Sequence, residues 1–535
     1  MPSRPPEPIR SRCPLPSARR SALVALALTA ALAAQEQPST RPGVPDAGAV
    51  TQEPSRPVPV DVDAEAQGTA VRELSLEDAL RRGREFNVAL RAAEVLPEQA
   101  RLDLVFAEAG FHPELYGSGG YAEGKSPQRN AFSPSLSSTT IDAQIGWRQR
   151  VITGGLFDLA FEPTRFESSG GGGAFPSKQF TSNWVASFRQ PLMRGAWTDY
   201  NLAGINSARY QLNQAQHDFD RTVQDTLLQI VQAYWELAFA RENWRVVTSA
   251  LDVAKEQLRI TDERIRVEEL APRDRIADEA EVARRREEQI TAENAIRDRE
   301  DELRRLLYDG SDWRIWHINL RPVSTIEVVP ELRDWQFEEL VDVAIQNRPD
   351  LRALRSSVAT AEVALLEAER DMLPQLDLIG SYSTDGVRSN FRNAFDDSIN
   401  QDFPDWSVRL EFAIPIGNHA ARSRARRATL EVERQRRLLH AATLDVIREV
   451  REAVRSLTTL AQSIQAGTES VRLARSNLDT EQVKLRVGAS TAFEVQRRNQ
   501  ELREARSRLL RNQLDYRTAE SRLLHVQGLL QVDAD

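Results

Sequence analysis

A chain of 535 residues is longer than one compact core sustains, so several domains or an elongated shape is expected. A formal net charge of −9 argues against nucleic acid as the main partner. The 28% of charged residues, with Ala, Leu, Glu and Arg predominant, is the balance of long helices.

In chain order, residues 1–34 join a basic head, "SARR", to the apolar run "SALVALALTAALAA", with small residues at Ala31-Leu32-Ala33 suited to cleavage. This reads as an export signal; an N-terminal membrane anchor is the alternative, although the run is short for a span. Cys13, the only cysteine, precedes the apolar run, so the mature chain is expected to carry neither disulfide nor lipid. Residues 35–72, rich in Pro, Ala and Gln, read as a disordered leader.

From residue 73 the chain repeats itself. At an offset of 261 residues, Leu90, Arg91, Ala92, Pro113, Leu115, Gly119 and Tyr121 are matched by Leu351, Arg352, Ala353, Pro374, Leu376, Gly380 and Tyr382. Further on, "FRQPLMRG" (188–195) answers "FAIPIGNH" (412–419) at an offset of 224, so the first copy holds 37 extra residues between its two prolines. The repeats are placed at 73–334 and 335–530, with a tail at 531–535. In the first, strands are expected over about 113–192, a long helical hairpin over about 196–308 and its tip at about 267–273. In the second, the strands fall at about 374–415, the hairpin at about 419–528 and the tip at about 487–491.

The strand segments alternate strictly. Trp406, Val408, Leu410, Phe412 and Ile414 face away from Ser407, Arg409 and Glu411, and Ile141, Ala143, Ile145 and Trp147 face away from Asp142, Gln144 and Arg148. A sheet covering a soluble core gives the same alternation. Aromatic-rich strands behind an export signal point instead to a transmembrane barrel with lipid outside and water within. Four to six strands per chain fall short of the ~8 of the smallest membrane barrels, so oligomerisation has to supply the rest. The run "WRQRVITGGLFDLAFEP" alternates on both sides of Thr153-Gly154-Gly155, which signals an added β-hairpin over about 141–162. It either lengthens the extracellular strands or adds two strands, and lengthening is the expectation.

No proline interrupts the pattern between Ala196 and Val267, and ~70 residues at ~1.5 Å rise make a helix of order 100 Å. Val223, Leu227, Ile230, Tyr234 and Leu237 repeat at spacings of three and four, as do Val446, Val450, Ala453, Leu457, Leu460 and Ile464, which is a coiled-coil seam. The second helix reverses at "RVGASTAFEV", where Gly488 suits a positive φ and Ser490 or Thr491 a helix N-cap. The first copy has Glu268 at the position of Gly488, with Pro272 suited to a helix start.

Two copies of helix, "P-x-L" strand entry, strands, "QPL" or "IPI" strand exit and a hairpin turning at "VGxxxxxEV" resemble the TolC-like outer membrane efflux proteins over about residues 73–530. The resemblance implies a mainly α fold with a membrane β-barrel portion, in which three chains each give four strands to one barrel and their helices continue it as a trimeric periplasmic tunnel. It implies a passive exit duct, in the outer membrane, of a tripartite efflux or type I secretion system, working with a periplasmic adaptor and an inner-membrane transporter. It also places the adaptor-facing tips at Val487 and Gly488, with Val267 and Glu268 in the other hairpin. Glu494 matches an acidic tunnel-narrowing position of the family, whereas Arg497 occupies another. A ring of Glu494 carboxylates competes with ordinary helix pairing of Glu494 to Arg497 or Arg498, which neutralises the field.

The six histidines show no metal-ligand spacing, and neither a hydrolase elbow nor a phosphate loop occurs; "SSGGGG" at 168–173 lacks the Lys that a phosphate loop needs. No catalytic, metal or cofactor residue is expected. A trimeric porin or adhesin, or an exported coiled-coil scaffold, remains the alternative. A porin needs no long helices, and a scaffold needs no alternating aromatic strands.

Overall fold

A computed structural model of the chain describes residues 71–126, 136–169, 178–310, 313–326, 328, 335–487 and 489–531. The expected export signal, most of the leader, the Gly-rich stretch from 170, Gly488 and nearly all of the tail lie outside the described residues. The first half of the chain runs β1 (Val71–Leu74), whose pairing with a later strand corrects the reading of residues 71 and 72 as disordered leader, α1 (Leu76–Phe86), α2 (Val88–Ala109), β2 (Glu114–Ser126), β3 (Leu136–Arg150), β4 (Leu156–Ser169) and β5 (Lys178–Pro191). After a single turn at Thr198–Asn201 come α3 (Ala203–Arg266), α4 (Asp274–Leu307), a 3₁₀ turn (Trp313–His317) and β6 (Asn319–Pro322). The second repeat runs α5 (Phe337–Asn347), α6 (Pro349–Arg370), β7 (Gln375–Arg388), α7 (Phe391–Asn400), β8 (Pro404–Ala413), α8 (His419–Arg486) and α9 (Ala492–Val526).

The helices start where the sequence supplies a cap. Ser75 accepts the Asp78 amide at 3.0 Å to open α1, and Asn87 accepts the Leu90 amide at 3.1 Å to open α2. The two long helices have 64 and 68 residues, each ~100 Å at ~1.5 Å per residue. Near the sheet four helices lie abreast in the order α2, α3, α6, α8; farther away the order is α4, α3, α9, α8. Leu227, Ile230, Tyr234 and Leu237 of the expected seam are fully buried, and α3 is enclosed nearly all round at this level. The reason is a collar. The parallel pair β1–β6, the helix α1 and the 3₁₀ turn wrap the midpoint of α3, and Leu74, Ile315 and Leu320 join Tyr234 in one core. The Tyr234 hydroxyl lies 3.0 Å from the Leu74 carbonyl, so even the polar end of this ring is satisfied. In the second copy Val446 and Val450 pack under α5, and Leu457 and Ile464 pack against α9.

All six long strands form one antiparallel sheet in the order β2-β3-β4-β5-β7-β8. This corrects the expectation that the 37 extra residues lengthen extracellular strands: they add two full strands, β3 and β4. The turn at Val151–Gly155 therefore sits at the helical end of the sheet. It closes by Val151 N–H to Gly155 O at 2.8 Å and Gly154 N–H to Val151 O at 2.9 Å, with Gly154 at φ +79°. A Cβ at Gly154 would lie 2.1 Å from the Gly195 carbonyl, and the Thr153 carbonyl accepts from Gln190 at 2.8 Å, so the turn is tied to the strand exit that enters α3. Sequence spacing located this turn; which end of the sheet it occupies follows from the length of β3, which already reaches the helices.

The helix α7 between β7 and β8 falls in a region read only as strands. Asn390 caps it by accepting the Asn393 amide at 2.9 Å. It folds back on the apolar face of the sheet, where Phe395 meets Phe161 and Phe391 meets Phe180. Ser398 bonds the hydroxyl of Ser182 at 2.9 Å, and its carbonyl accepts from Thr384 at 3.0 Å, satisfying three buried polar residues. Contact is close enough that a Cβ on Gly386 would stand 1.8 Å from the Ala394 carbonyl. Gly386→Val is expected to undock α7, as overpacking by ~1–3 kcal/mol. Limited proteolysis should then cut between residues 389 and 403 in the variant and not in the parent; equal protection would show that α7 does not depend on this contact.

Candidate functional site

The wall of the sheet is built by register. Trp147, Leu159, Ala186, Tyr382 and Trp406 stand in one row across five strands, and Leu115 precedes them on β2. Along β8, Trp406 is 72% exposed and Val408 66%, so a large apolar face meets whatever surrounds the sheet. The opposite face is polar and cross-linked between strands. Arg148 meets Asp158 at 2.9 Å, Tyr116 donates to Asp158 at 2.8 Å, Gln144 donates to Glu162 at 2.8 Å, and Arg189 bridges Glu411 at 2.8 Å and Asp377 at 3.4 Å. One face thus fits hydrocarbon and the other water, which is the division of a membrane barrel wall. Among the described residues no helix is long and apolar enough to cross a membrane.

The far ends of the two hairpins carry the other candidates. Val267 ends α3, is 59% exposed, and is followed by Glu268 at φ +63°. That left-handed conformation disfavours a residue with a Cβ by roughly 1–2 kcal/mol, so the departure from Gly seen in the sequence is a strained turn. Val487 ends α8 and is 73% exposed. Thr491, not Ser490, caps α9, accepting the Glu494 amide at 3.4 Å. Ser490 instead donates to Glu481, whose carboxyl is held below its usual range by that bond first and by Lys484 second. Glu494 sits in the first turn of α9, paired with Arg497 at 3.0 Å; Arg498 turns to Glu501 at 2.8 Å. Of the two expected partners of Glu494, the i+3 residue takes the ion pair.

One network has no counterpart in the sequence reading. Glu300 on α4 is 3% exposed and bonds Arg241 of α3 at 2.5 Å and Arg304 at 2.8 Å; Arg304 also donates to the Ile318 carbonyl at 3.0 Å. On charged helices Glu300 and Arg304 look like any exposed i, i+4 pair, and only the collar buries them. Likewise Asp225 on α3 meets His525 on α9 at 2.7 Å, and this bond first holds its carboxyl below the usual range. Among the described residues no cluster of three or more His, Cys, Asp or Glu is arranged to hold a metal.

A sheet with one apolar and one polar face, continued by helices ~100 Å long, has the architecture of an outer-membrane channel with a helical tunnel reaching into the periplasm. Residues 340–529 match the family described as "Outer membrane efflux protein". The chain is 24% identical over 334 residues to outer membrane protein TolC of Vibrio cholerae, covering 62% of this chain and 73% of that protein. It is 23% identical over 350 residues to the alkaline protease secretion protein AprF of Pseudomonas aeruginosa, covering 64% and 69%. Its fold is similar to the CmeC outer membrane channel of Campylobacter jejuni (TM-score 0.63, 16% identity, 85% and 86% covered) and to VceC of Vibrio cholerae (TM-score 0.62, 15% identity, 85% and 96% covered). In sequence and fold the chain is thus similar to the outer membrane efflux proteins.

Proposed function

We propose that this chain is a passive outer-membrane exit duct of a tripartite efflux or type I secretion system, assembled as a homotrimer and fed by a periplasmic adaptor and an inner-membrane transporter. The observation that carries the reading is the two-faced sheet continued directly by the long helices, which makes one wall from membrane to periplasm. A match to a family named for efflux and a relative named for protease secretion support it. Among the described residues the outer edges of β2 and β8 have no strand partner within one chain, and hydrocarbon does not tolerate bare strand edges, which supports closure by further copies. A duct of this kind works without cofactor or catalysis. Cell fractionation and mass measurement in detergent test it: an outer-membrane trimer is expected, and a soluble monomer would overturn it.

The repeat boundaries at 73–334 and 335–530 belong to the same proposal, each repeat giving one side of the wall. The tips at Val267–Glu268 and Val487–Gly488 are proposed to meet the adaptor, on the strength of two exposed valines at the distal ends. Val267→Asp combined with Val487→Asp is expected to abolish adaptor capture by site-specific cross-linking while the trimer mass is unchanged. Retained capture would remove the tips from the interface.

Glu494 and Arg497 are proposed to line the periplasmic mouth as a charge-neutral pair rather than as a cation-holding ring. The 3.0 Å contact supports this, because a carboxylate beside a guanidinium projects little field. Glu494→Ala combined with Arg497→Ala, which keeps the mouth neutral, should then give parental single-channel conductance in planar bilayers and lose only ~0.2–0.5 kcal/mol of helix stability. Altered conductance together with lost block by multivalent cations would establish the acidic ring instead.

A further inference from the structure

We infer that β8 of each protomer pairs with β2 of the next, so that the trimer closes an eighteen-stranded barrel as wide as the helical tunnel beneath it. The inference rests on the trimeric reading above and adds what that reading leaves open, the strand count and the bore. Three observations carry it.

First, the direction is right. β2 leaves the helices and β8 returns to them, so a neighbouring β2 continues the antiparallel alternation, and an even number of strands per chain closes without a parallel seam. Second, the register gives a barrel tilt. One ladder row runs through Glu114, Arg148, Asp158, Ser187, Ser381 and Ser407. Glu114 is the helix-proximal end of β2, whereas Ser381 and Ser407 lie six residues beyond the ends of β7 and β8 at Gln375 and Ala413. The row thus climbs away from the helices as it crosses the protomer, and meets the next β2 at Gly120 or Ala122, the water-facing positions six and eight residues above Glu114. A climb of about six to eight residues per six strands, at ~3.3 Å per residue and ~4.8 Å per strand, is a tilt of ~35–43°, within the range of closed barrels.

Third, the arcs match. Six strands at that tilt cover ~35–40 Å, and four helices abreast at ~8–10 Å cover ~32–40 Å. Four strands would cover only ~23–26 Å and force a taper at the junction. The inserted β3–β4 hairpin removes that mismatch, and its turn is seated on Gly195 and Gln190 where the sheet meets α3. Three copies give a backbone diameter of ~34–38 Å, the class of barrel that leaves an open aqueous channel. Faces also continue: Trp406, Val408 and Leu410 run on to Leu115 and Tyr121, and Ser407 and Arg409 to Ser118 and Gly120.

The test is disulfide trapping in a Cys13→Ser background, with Ser407→Cys combined with Gly120→Cys in one variant and with Ala122→Cys in another. β2 and β8 of one chain lie at opposite edges of the sheet, so only a neighbour supplies the partner thiol. Covalent trimers on non-reducing gels are expected from at least one double variant and from none of the single ones. Hydrogen exchange on the unmutated trimer is read in parallel, with protection expected across 136–169 and 404–413. A trimer by mass that shows no disulfide with either pair and fast exchange over 136–169 would overturn the eighteen-strand barrel and leave the duct reading standing. A mass other than three copies would overturn the trimeric reading, and the strand count with it.

Discussion

Val408→Arg is expected to prevent stable assembly in the outer membrane, whereas Ser407→Arg, one residue away, is expected to assemble. Val408 stands on the apolar face near the middle of β8, between Trp406 and Leu410, and is 66% exposed in the single chain. A guanidinium there has to be taken into hydrocarbon, at ~2–4 kcal/mol near the bilayer midplane. In the proposed trimer the cost is repeated in each of the three copies. Ser407 points to the other face, beside Ser381 at 2.8 Å, where water and the carboxylates of Asp405 and Glu411 receive a cation. The contrast is measured by the amount of SDS-resistant trimer recovered from outer membranes. Equal recovery of both variants would mean that the two faces are assigned the wrong way round or that the sheet does not meet lipid.

The second large effect is expected far from the membrane. Glu300→Ala leaves the buried Arg304, only 5% exposed, and the partly exposed Arg241 around a missing carboxylate. Removing one member of a fully buried ion pair costs ~3–5 kcal/mol; the loss here is expected toward the lower end, because Arg304 keeps Asp301 and the Ile318 carbonyl as partners. The collar that holds the 3₁₀ turn and β6 should loosen, because Arg304 loses the anchor that aims it at the Ile318 carbonyl. Thermal unfolding and protease cleavage between residues 308 and 326 report this. Glu300→Leu together with Arg241→Met and Arg304→Met should recover most of the loss by exchanging the network for apolar packing. If Glu300→Ala melts with the parent, the network is not desolvated in the assembled protein.

What was legible in the sequence was periodic. Alternation with period two assigned Trp406, Val408, Leu410 and Phe412 to one face and Arg409 and Glu411 to the other, and the register agrees residue by residue. Spacing of three and four picked out Leu227, Ile230, Tyr234 and Leu237, all fully buried. The helix α7 was less legible because ten residues hold under three turns, too few for periodicity to outweigh the strands on either side. Its signals, Asn390 as a cap and Phe391, Ala394, Phe395 and Ser398 along one face, are visible only with the boundaries in hand.

By itself the sequence determined the repeat, the two faces of the strands, the great length of the helices and the position of the turn at Gly154, since each is a property of neighbours along the chain. Tertiary structure alone decided that the turn joins two added strands at the helical end, because that depends on where β3 and β4 are paired rather than on what turns them. It alone decided that Glu300 and Arg304 are buried rather than solvated, because an i, i+4 pair has the same sequence in water and under a collar. Covalent neighbours set local periodicity; burial and strand count are set by segments brought together over hundreds of residues, which local spacing does not encode.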